Sequence, residues 1–478
     1  MLLEYNHGVP MAFSRVCQIL RGGRMNKVDK TSTKDAKMLS DVEIAQAQSS
    51  RRNFFKKAAV YSASAVAATS LLSPTKLLAE EKKKVEGDEA ILEEQPWATS
   101  LGYELNINPY GLPSPYEHNV VRRTTPLLSS AGDMHAAVSL TPLQDLSGII
   151  TPNGLFFTRT HNGVARIDPN KHRLMIHGMV KKPLVLTMEE LKKYPSESVI
   201  HFLECPANGA AEWKAPQFDS LQFVKGMMSC AEWTGVRLKT ILEDVGVDPK
   251  AIWMLAEGGD GSSMSRTIPV EKVMDDVMVV WAQNGEALRE EQGYPIRLLV
   301  PGWEANMSVK WLKRLEFGDK PWYCKEETSK YTVLLPSGKA IQHFYPIEVN
   351  SIITSPCPEK PWTDLKKGDI VEIEGLAWSG KGTITHVDIS FDGGKNWVEA
   401  KLKGLVLPKA WTRFSYIYKY EGKDLILQSR ATDDTGDTQP TVSQEKKIMG
   451  VEGVYHRNSI CSWQVKANGE VHNAQMRS

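Results

Sequence analysis

The sequence predicts an α+β protein, a mixed α/β domain followed by an all-β sandwich. Three observations carry this. The chain has 478 residues, too many for one domain at roughly 100–200 residues each. Through residues 150–345, short strand-like apolar runs mix with segments of helical period. From Glu348 onward the apolar period changes to two. The composition, 41% hydrophobic and 24% charged, excludes a disordered or collagen-like chain. Lys+Arg is 58 against 57 for Asp+Glu, so the basic excess of a dedicated nucleic-acid binder is missing.

The first motif is Ser50-Arg51-Arg52-Asn53-Phe54-Phe55-Lys56. A weakly apolar run, 58–72, and Leu77-Leu78-Ala79 follow it. A positive region, an apolar stretch and a small-residue end have the layout of a secretory signal. The paired arginines with Phe54 match the twin-arginine pattern. The run is too short and too rich in Ser, Thr and Ala to span ~30 Å of hydrocarbon, which takes about 20 apolar residues. Residues 1–79 are therefore expected to be an N-terminal extension with a twin-arginine signal. The expected location is the periplasm, with no membrane span. Residues 1–49 are long and polar for such a signal, and Met25 or Met38 is the expected start. Residues 80–149 open on a charged run and continue rich in Pro, Ser and Asn, which predicts a linker and an extended arm.

In the domain predicted for 150–345, residues 173–178 read as a strand ending in a turn. Thr187 and Glu190 have capping-box spacing at a helix start. Residues 198–203 form a β-rich run that delivers Cys205. Leu238, Ile241, Leu242 and Val245 fall at helical spacing, and 297–301 reads as a buried strand.

The cysteines stand at 17, 205, 230, 324, 357 and 461, with no CxxC among them. That removes thioredoxin-like redox chemistry, zinc ribbons and c-type haem attachment on this chain. A lone cysteine is ordinarily a small buried hydrophobe, and Cys230 is read so. Cys205 follows a strand at a turn, which is expected to present its sulfur at a domain surface. Arg159 and His161 are two apart and face one side of an extended segment.

The ordered set of short motifs goes further. Residues 156–161 (FFTRTH), 203–208 (LECPAN) and 229–236 (SCAEWTGV) are followed by Glu257-Gly258-Gly259-Asp260 and Asn284-Gly285. Then come residues 293–297 (GYPIR), Val300-Pro301-Gly302 and Val309-Lys310-Trp311. The set resembles the sulfite oxidase family of molybdopterin enzymes over roughly residues 150–450. Residues 205–213 (CPANGAAEW), Ser429 to Asp433 and Gln439-Pro440 favour its sulfane dehydrogenase branch.

The resemblance implies a molybdenum-molybdopterin cofactor with Cys205 as the metal's one protein ligand. It implies cofactor binding by Phe157, Thr158, Arg159, Thr160, His161, Asp260, Gln292, Arg297, Ser308, Val309 and Lys310. Arg159 would also lie at the substrate anion, which suits a fork of N–H donors. Tyr331, twenty residues after Trp311, takes the place of the active-site tyrosine, a phenol that stays neutral at pH 7 and can donate a hydrogen bond. The implied activity is oxidation of carrier-bound sulfane sulfur or of sulfite. The implied partners are a c-type cytochrome subunit as electron acceptor and a sulfur-carrier protein or small sulfur anion as substrate. The implied assembly is a homodimer, or a heterotetramer with the cytochrome.

Departures weigh on the substrate. Gln292 stands where sulfite oxidases have His, Met307 where they have Arg, and Gly209-Ala210 where they have an arginine after the Asn. Less positive charge at the mouth suits a substrate presented on another protein. A stand-alone sulfite dehydrogenase, a reductase running the same cofactor in reverse, and a cofactor-free binding protein on the same scaffold are the alternatives.

In the region predicted as a sandwich, 346–450, Val387, Ile389 and Phe391 alternate with polar residues before the turn Asp392-Gly393-Gly394-Lys395. The pattern resembles the immunoglobulin-like dimerisation domain of the same family, which would let Arg413 reach the substrate pocket of its own or a neighbouring subunit. The tail, 451–478, contains Tyr455-His456-Arg457-Asn458 and Trp463 but no chemistry assignable from composition.

Overall fold

Strand Met228–Arg237 is buried over most of its length, as a strand covered on both faces must be. It lies between Glu197–Glu204 and Met278–Gln283 in an antiparallel sheet. Arg297–Leu299 also pairs with Met278–Gln283, and all three of its residues are buried. A second sheet has the order Leu184–Leu186, Leu174–Gly178, Leu312–Gly318, Trp253–Gly258, Ser265–Pro269. Its one parallel pairing joins Leu174–Gly178 to Leu312–Gly318. Side chains of the two sheets meet in a single apolar core. Helix Leu238–Val245 adds Leu238, Ile241, Leu242 and Val245 to it, the four positions its spacing predicts. The Thr187 capping box is formed as expected, with Thr187 and Glu190 each bonding the other's backbone amide.

A computed structural model describes Thr99 and residues 110–126, 132–451 and 453–475. The predicted twin-arginine segment and charged run lie outside the described residues. Residues Tyr110–Ser478 form one compact unit, to which everything below belongs. Among the described residues no helix is long and apolar enough to cross a membrane.

The region read as an extended arm is only partly so. Residues 110–122 are largely exposed. Ala137–Leu140, however, is a fully buried strand between Arg123–Pro126 and Thr158–Arg159. Leu143 is in the core. Four consecutive buried positions leave no alternation in the sequence to betray a strand.

The sandwich packs Asn350–Ser355, Ile370–Trp378, Thr412–Lys419 and Lys401–Lys403 against a second sheet. That sheet contains Val398–Glu399, Ile384–Ser390, Leu425–Asp433, Ser462–Val465 and Val471–Ala474. Val387 and Ile389 point inward onto Trp378, Trp411, Phe414 and Trp463. Asp392 holds the predicted turn by accepting the amides of Lys395 and Asn396, each at 3.0 Å, and Gly393 and Gly394 take positive φ. The sandwich does not stop near 450: Ser462–Val465 and Val471–Ala474 complete its second sheet, so much of the predicted tail is structural.

The two domains share core. Phe202, Met228 and Cys230 pack in one cluster with the sandwich, which makes Cys230 the buried thiol expected. Gly302 and Gly380 meet backbone to backbone; a Cβ on Gly302 would lie 2.0 Å from the Gly380 carbonyl oxygen.

Candidate active site

Strand Glu197–Glu204 ends where the Asn208 amide donates to the Cys205 carbonyl (2.9 Å) and the Cys205 amide to the Met227 carbonyl (3.0 Å). The turn puts the Cys205 thiol on the wall of a cavity. Cys205 is buried, so the expectation of a surface sulfur is corrected: the sandwich and the strand Met228–Arg237 close over the turn. Burial pushes its thiol up to about 11, and a metal must displace that proton to bind.

Thr158–Arg159 pairs with Ala137–Leu140 and carries Arg159 to the same cavity. Its Nη1 is buried and has no hydrogen-bond partner. His161 is on the same side, as the two-residue spacing requires. Burial, with Arg159 and Lys310 nearby, drives its imidazole down to about 3, so the ring is neutral. Tyr331, at φ +51°, places its hydroxyl 3.1 Å from His161 Nε2.

The far end of the cavity is cationic. Arg297 is buried; its guanidinium donates to the carbonyls of Ser308 (2.8 Å) and Gln292 (3.2 Å) and lies over the Trp233 ring. The Lys310 ammonium donates to the carbonyls of Glu291 (3.0 Å) and Arg159 (3.2 Å). Desolvation depresses Lys310 to about 7 and Arg297 to about 9. Arg159, Arg297 and Lys310 share the cavity with one carboxylate, Asp260, which is engaged by Ser262. Buried charges are ordinarily paired, so this arrangement calls for an anion.

Phe157, Thr158, Thr160, Gln292, Ser308 and Val309 also line the cavity. Gln292 donates to Thr158 Oγ1 (2.6 Å) and the Phe157 carbonyl (3.0 Å). Ser308 uses its hydroxyl to accept the Val300 amide (2.9 Å). Arg413 is the exception: its guanidinium donates to the carbonyls of Leu146 and Gly148. In this chain it fastens the sandwich to the 146–148 turn and does not line the chain's own cavity, which corrects the expected reach into the pocket of its own subunit.

Sequence reasoning missed the ring beneath Tyr331. Arg266 lies 5.1 Å under it and pairs with Glu304 (3.2 Å) and Glu327 (3.6 Å). His456 bridges Glu304 (2.8 Å) and Glu348 (3.1 Å). These charges come from distant parts of the chain, and no local pattern joins them.

Comparison with known proteins agrees with this geometry. Residues 161–325 match the oxidoreductase molybdopterin binding domain and residues 341–462 the Mo-co oxidoreductase dimerisation domain. The chain is 32% identical to the mitochondrial sulfite oxidase of Rattus norvegicus over 338 residues, 64% of this chain and 61% of that protein. It is 30% identical to the NADH nitrate reductase of Solanum lycopersicum, over 73% of this chain and 42% of that one. It thus spans about three fifths of the rat protein. The solved sulfane dehydrogenase SoxCD from Paracoccus pantotrophus is 46% identical with a TM-score of 0.79, over 82% of this chain and 100% of that chain.

The residues present fit a molybdenum-molybdopterin cofactor. The unpaired cations answer its phosphate, and the thiol of Cys205 is a soft donor for its metal. The chain belongs to the sulfite oxidase family of molybdopterin oxidoreductases.

Proposed function

We propose that this protein is an exported molybdenum oxidoreductase that oxidises sulfane sulfur presented on a carrier protein and passes the electrons to a c-type cytochrome. One observation carries the reading. The Cys205 thiol and the unpartnered Nη1 of Arg159 open onto the cavity whose other end holds Arg297 and Lys310, so a metal site and an anion site adjoin.

Bound there, the cofactor supplies two-electron oxygen-atom transfer. Cys205 holds the metal. Arg297 and Lys310, with Asp260 and the backbone from 308 to 310, hold the pterin and its phosphate. Arg159 binds the anionic group of the substrate and keeps the sulfur close to the metal. Tyr331 shares a hydrogen bond with the neutral imidazole of His161, which fixes the phenol's direction. Buried Tyr331 stays un-ionised.

The carrier-bound form of the substrate is supported by the uncharged residues at 209, 210 and 307, where sulfite oxidases carry arginines. Gly209 has φ +83°, a backbone conformation that L side chains rarely adopt, so an arginine in its place would strain the backbone. Met307 is buried and apolar. One arginine in place of several suits a substrate whose affinity comes from a protein surface. The likeness to the sulfane dehydrogenase SoxCD supports the same reading. The twin-arginine motif at Arg51-Arg52 supports export to the periplasm, and the match to a dimerisation domain supports a homodimer or a heterotetramer with the cytochrome.

The test is to purify the metal-loaded protein and assay it with sulfite and with protein-bound sulfane, using a c-type cytochrome as acceptor. Turnover preferring the bound sulfane is expected. Preference for free sulfite would make it a stand-alone sulfite dehydrogenase; absence of bound molybdenum would make it a binding protein. Arg159→Met should raise KM for an anionic substrate, and an effect confined to thermal stability would remove it from the substrate site.

A further inference from the structure

After helix Val442–Met449 the chain turns from the sandwich toward the cavity. Tyr455 brings its ring centroid to 5.2 Å from that of Tyr331. It is half-buried, and Cys205, Glu304 and Arg159 all act electrostatically on its phenol. The Tyr331 hydroxyl is engaged with His161. The Tyr331 backbone beside the Tyr455 oxygen partly offsets the rise that burial gives its phenol.

The next two residues fix this place. The His456 amide donates to the carbonyl of Pro206 at 2.8 Å, one residue after Cys205. Its imidazole is clamped between Glu304 and Glu348. The Arg457 carbonyl accepts from the buried ammonium of Lys225 at 2.9 Å, and its guanidinium donates to the Glu212 carbonyl. Tyr331 and His456 both adopt positive φ, +51° and +61°. Neither is glycine, and such backbone strain costs of order 1–3 kcal/mol and persists where packing over-determines it, characteristically at functional sites.

We propose that Tyr455 is a substrate-contacting residue, a second phenol supplied by the sandwich domain, which donates a hydrogen bond to the anionic group bound by Arg159, and that His456 is the positioning residue that sets its place. The inference rests on the reading of the cavity as a sulfur-oxidising site. It makes the sandwich part of the active site of its own chain as well as a structural module.

The experiment uses the metal-loaded protein and its Tyr455→Phe and His456→Gln variants. It reads kcat and KM for sulfite, and separately the Kd for sulfate, an unreactive tetrahedral dianion, by calorimetry. Loss of one hydrogen bond to a charged acceptor should raise both KM and Kd about tenfold in Tyr455→Phe. Molybdenum content and Tm should stay unchanged and kcat should hold within about threefold. His456→Gln should raise the same two constants and lower Tm as well. Unchanged KM and Kd in Tyr455→Phe, or a change in Tm alone, would overturn the proposal. If the parent protein oxidises no sulfur compound, the functional reading fails, and sulfate affinity alone then decides the contact. A parent protein that neither turns over sulfite nor binds sulfate overturns both.

Discussion

Tyr331 and His161 meet hydroxyl to imidazole, 3.1 Å apart, on the wall of the cavity that Cys205 also lines. The imidazole is neutral well below pH 7 because burial and the neighbouring Arg159 and Lys310 oppose a third positive charge. The pair is therefore an un-ionised phenol held by a neutral imidazole. Tyr331→Phe should lower kcat/KM by about a hundredfold with molybdenum content intact. In the parent protein no ionisation of His161 should appear between pH 5 and 8, and its ring resonances in NMR should stay those of the neutral form.

Cys205→Ser should fold and lose turnover. A hydroxyl is a poor donor to a soft metal, and the backbone bonds that shape the turn do not involve the sulfur. Far-UV circular dichroism should be unchanged while metal analysis and sulfur-oxidising activity collapse. Full activity at full metal content would remove Cys205 from the metal.

Lys310 makes the cofactor-free protein sensitive to pH. Its folded value of about 7 lies below the ordinary 10.5. Between these limits the unfolded chain binds the proton more tightly, so stability rises as pH climbs from about 7 to about 10.5. A bound phosphate restores the proton and flattens the slope. Denaturant titrations of the apo-protein should show that rise, Lys310→Met should abolish its part of it, and pyrophosphate should bind more tightly as pH falls through 7.

The His456 bridge has the opposite sign. Glu304 and Glu348 raise its imidazole from 6.5 to about 10 despite burial. Its stabilisation is complete below 6.5 and is lost as pH rises through about 10. The gap in unfolding free energy between the parent protein and His456→Gln should narrow over that window. A gap independent of pH would mean that the imidazole is held by shape alone.

Much of the cavity was legible because its residues sit in short stretches whose chemistry is local. FFTRTH places Arg159 and His161 on one side of an extended segment, and the apolar run before Cys205 delivers it as a strand. Helix Leu238–Val245 was legible from four apolar positions. Arg413 was not: whether a strand arginine faces a pocket or the carbonyls of Leu146 and Gly148 depends on how two domains dock. Tyr455 and His456 were visible as residues but silent as chemistry, because their partners Tyr331, Glu304 and Glu348 lie over a hundred positions earlier. Strands Ser462–Val465 and Val471–Ala474 were missed for the same reason, since edge pairing is decided by the sheet they join.

The return of the chain to Pro206 and Tyr331 has a consequence for biosynthesis. A ribosome makes residues 150–345 well before Tyr455, His456 and Arg457. Domains tend to fold as they emerge, so the catalytic half leaves the tunnel before His456 is available to pair with Glu304. A chain terminated before His456 is left with Glu304 paired to Arg266 alone, a buried carboxylate short of one partner.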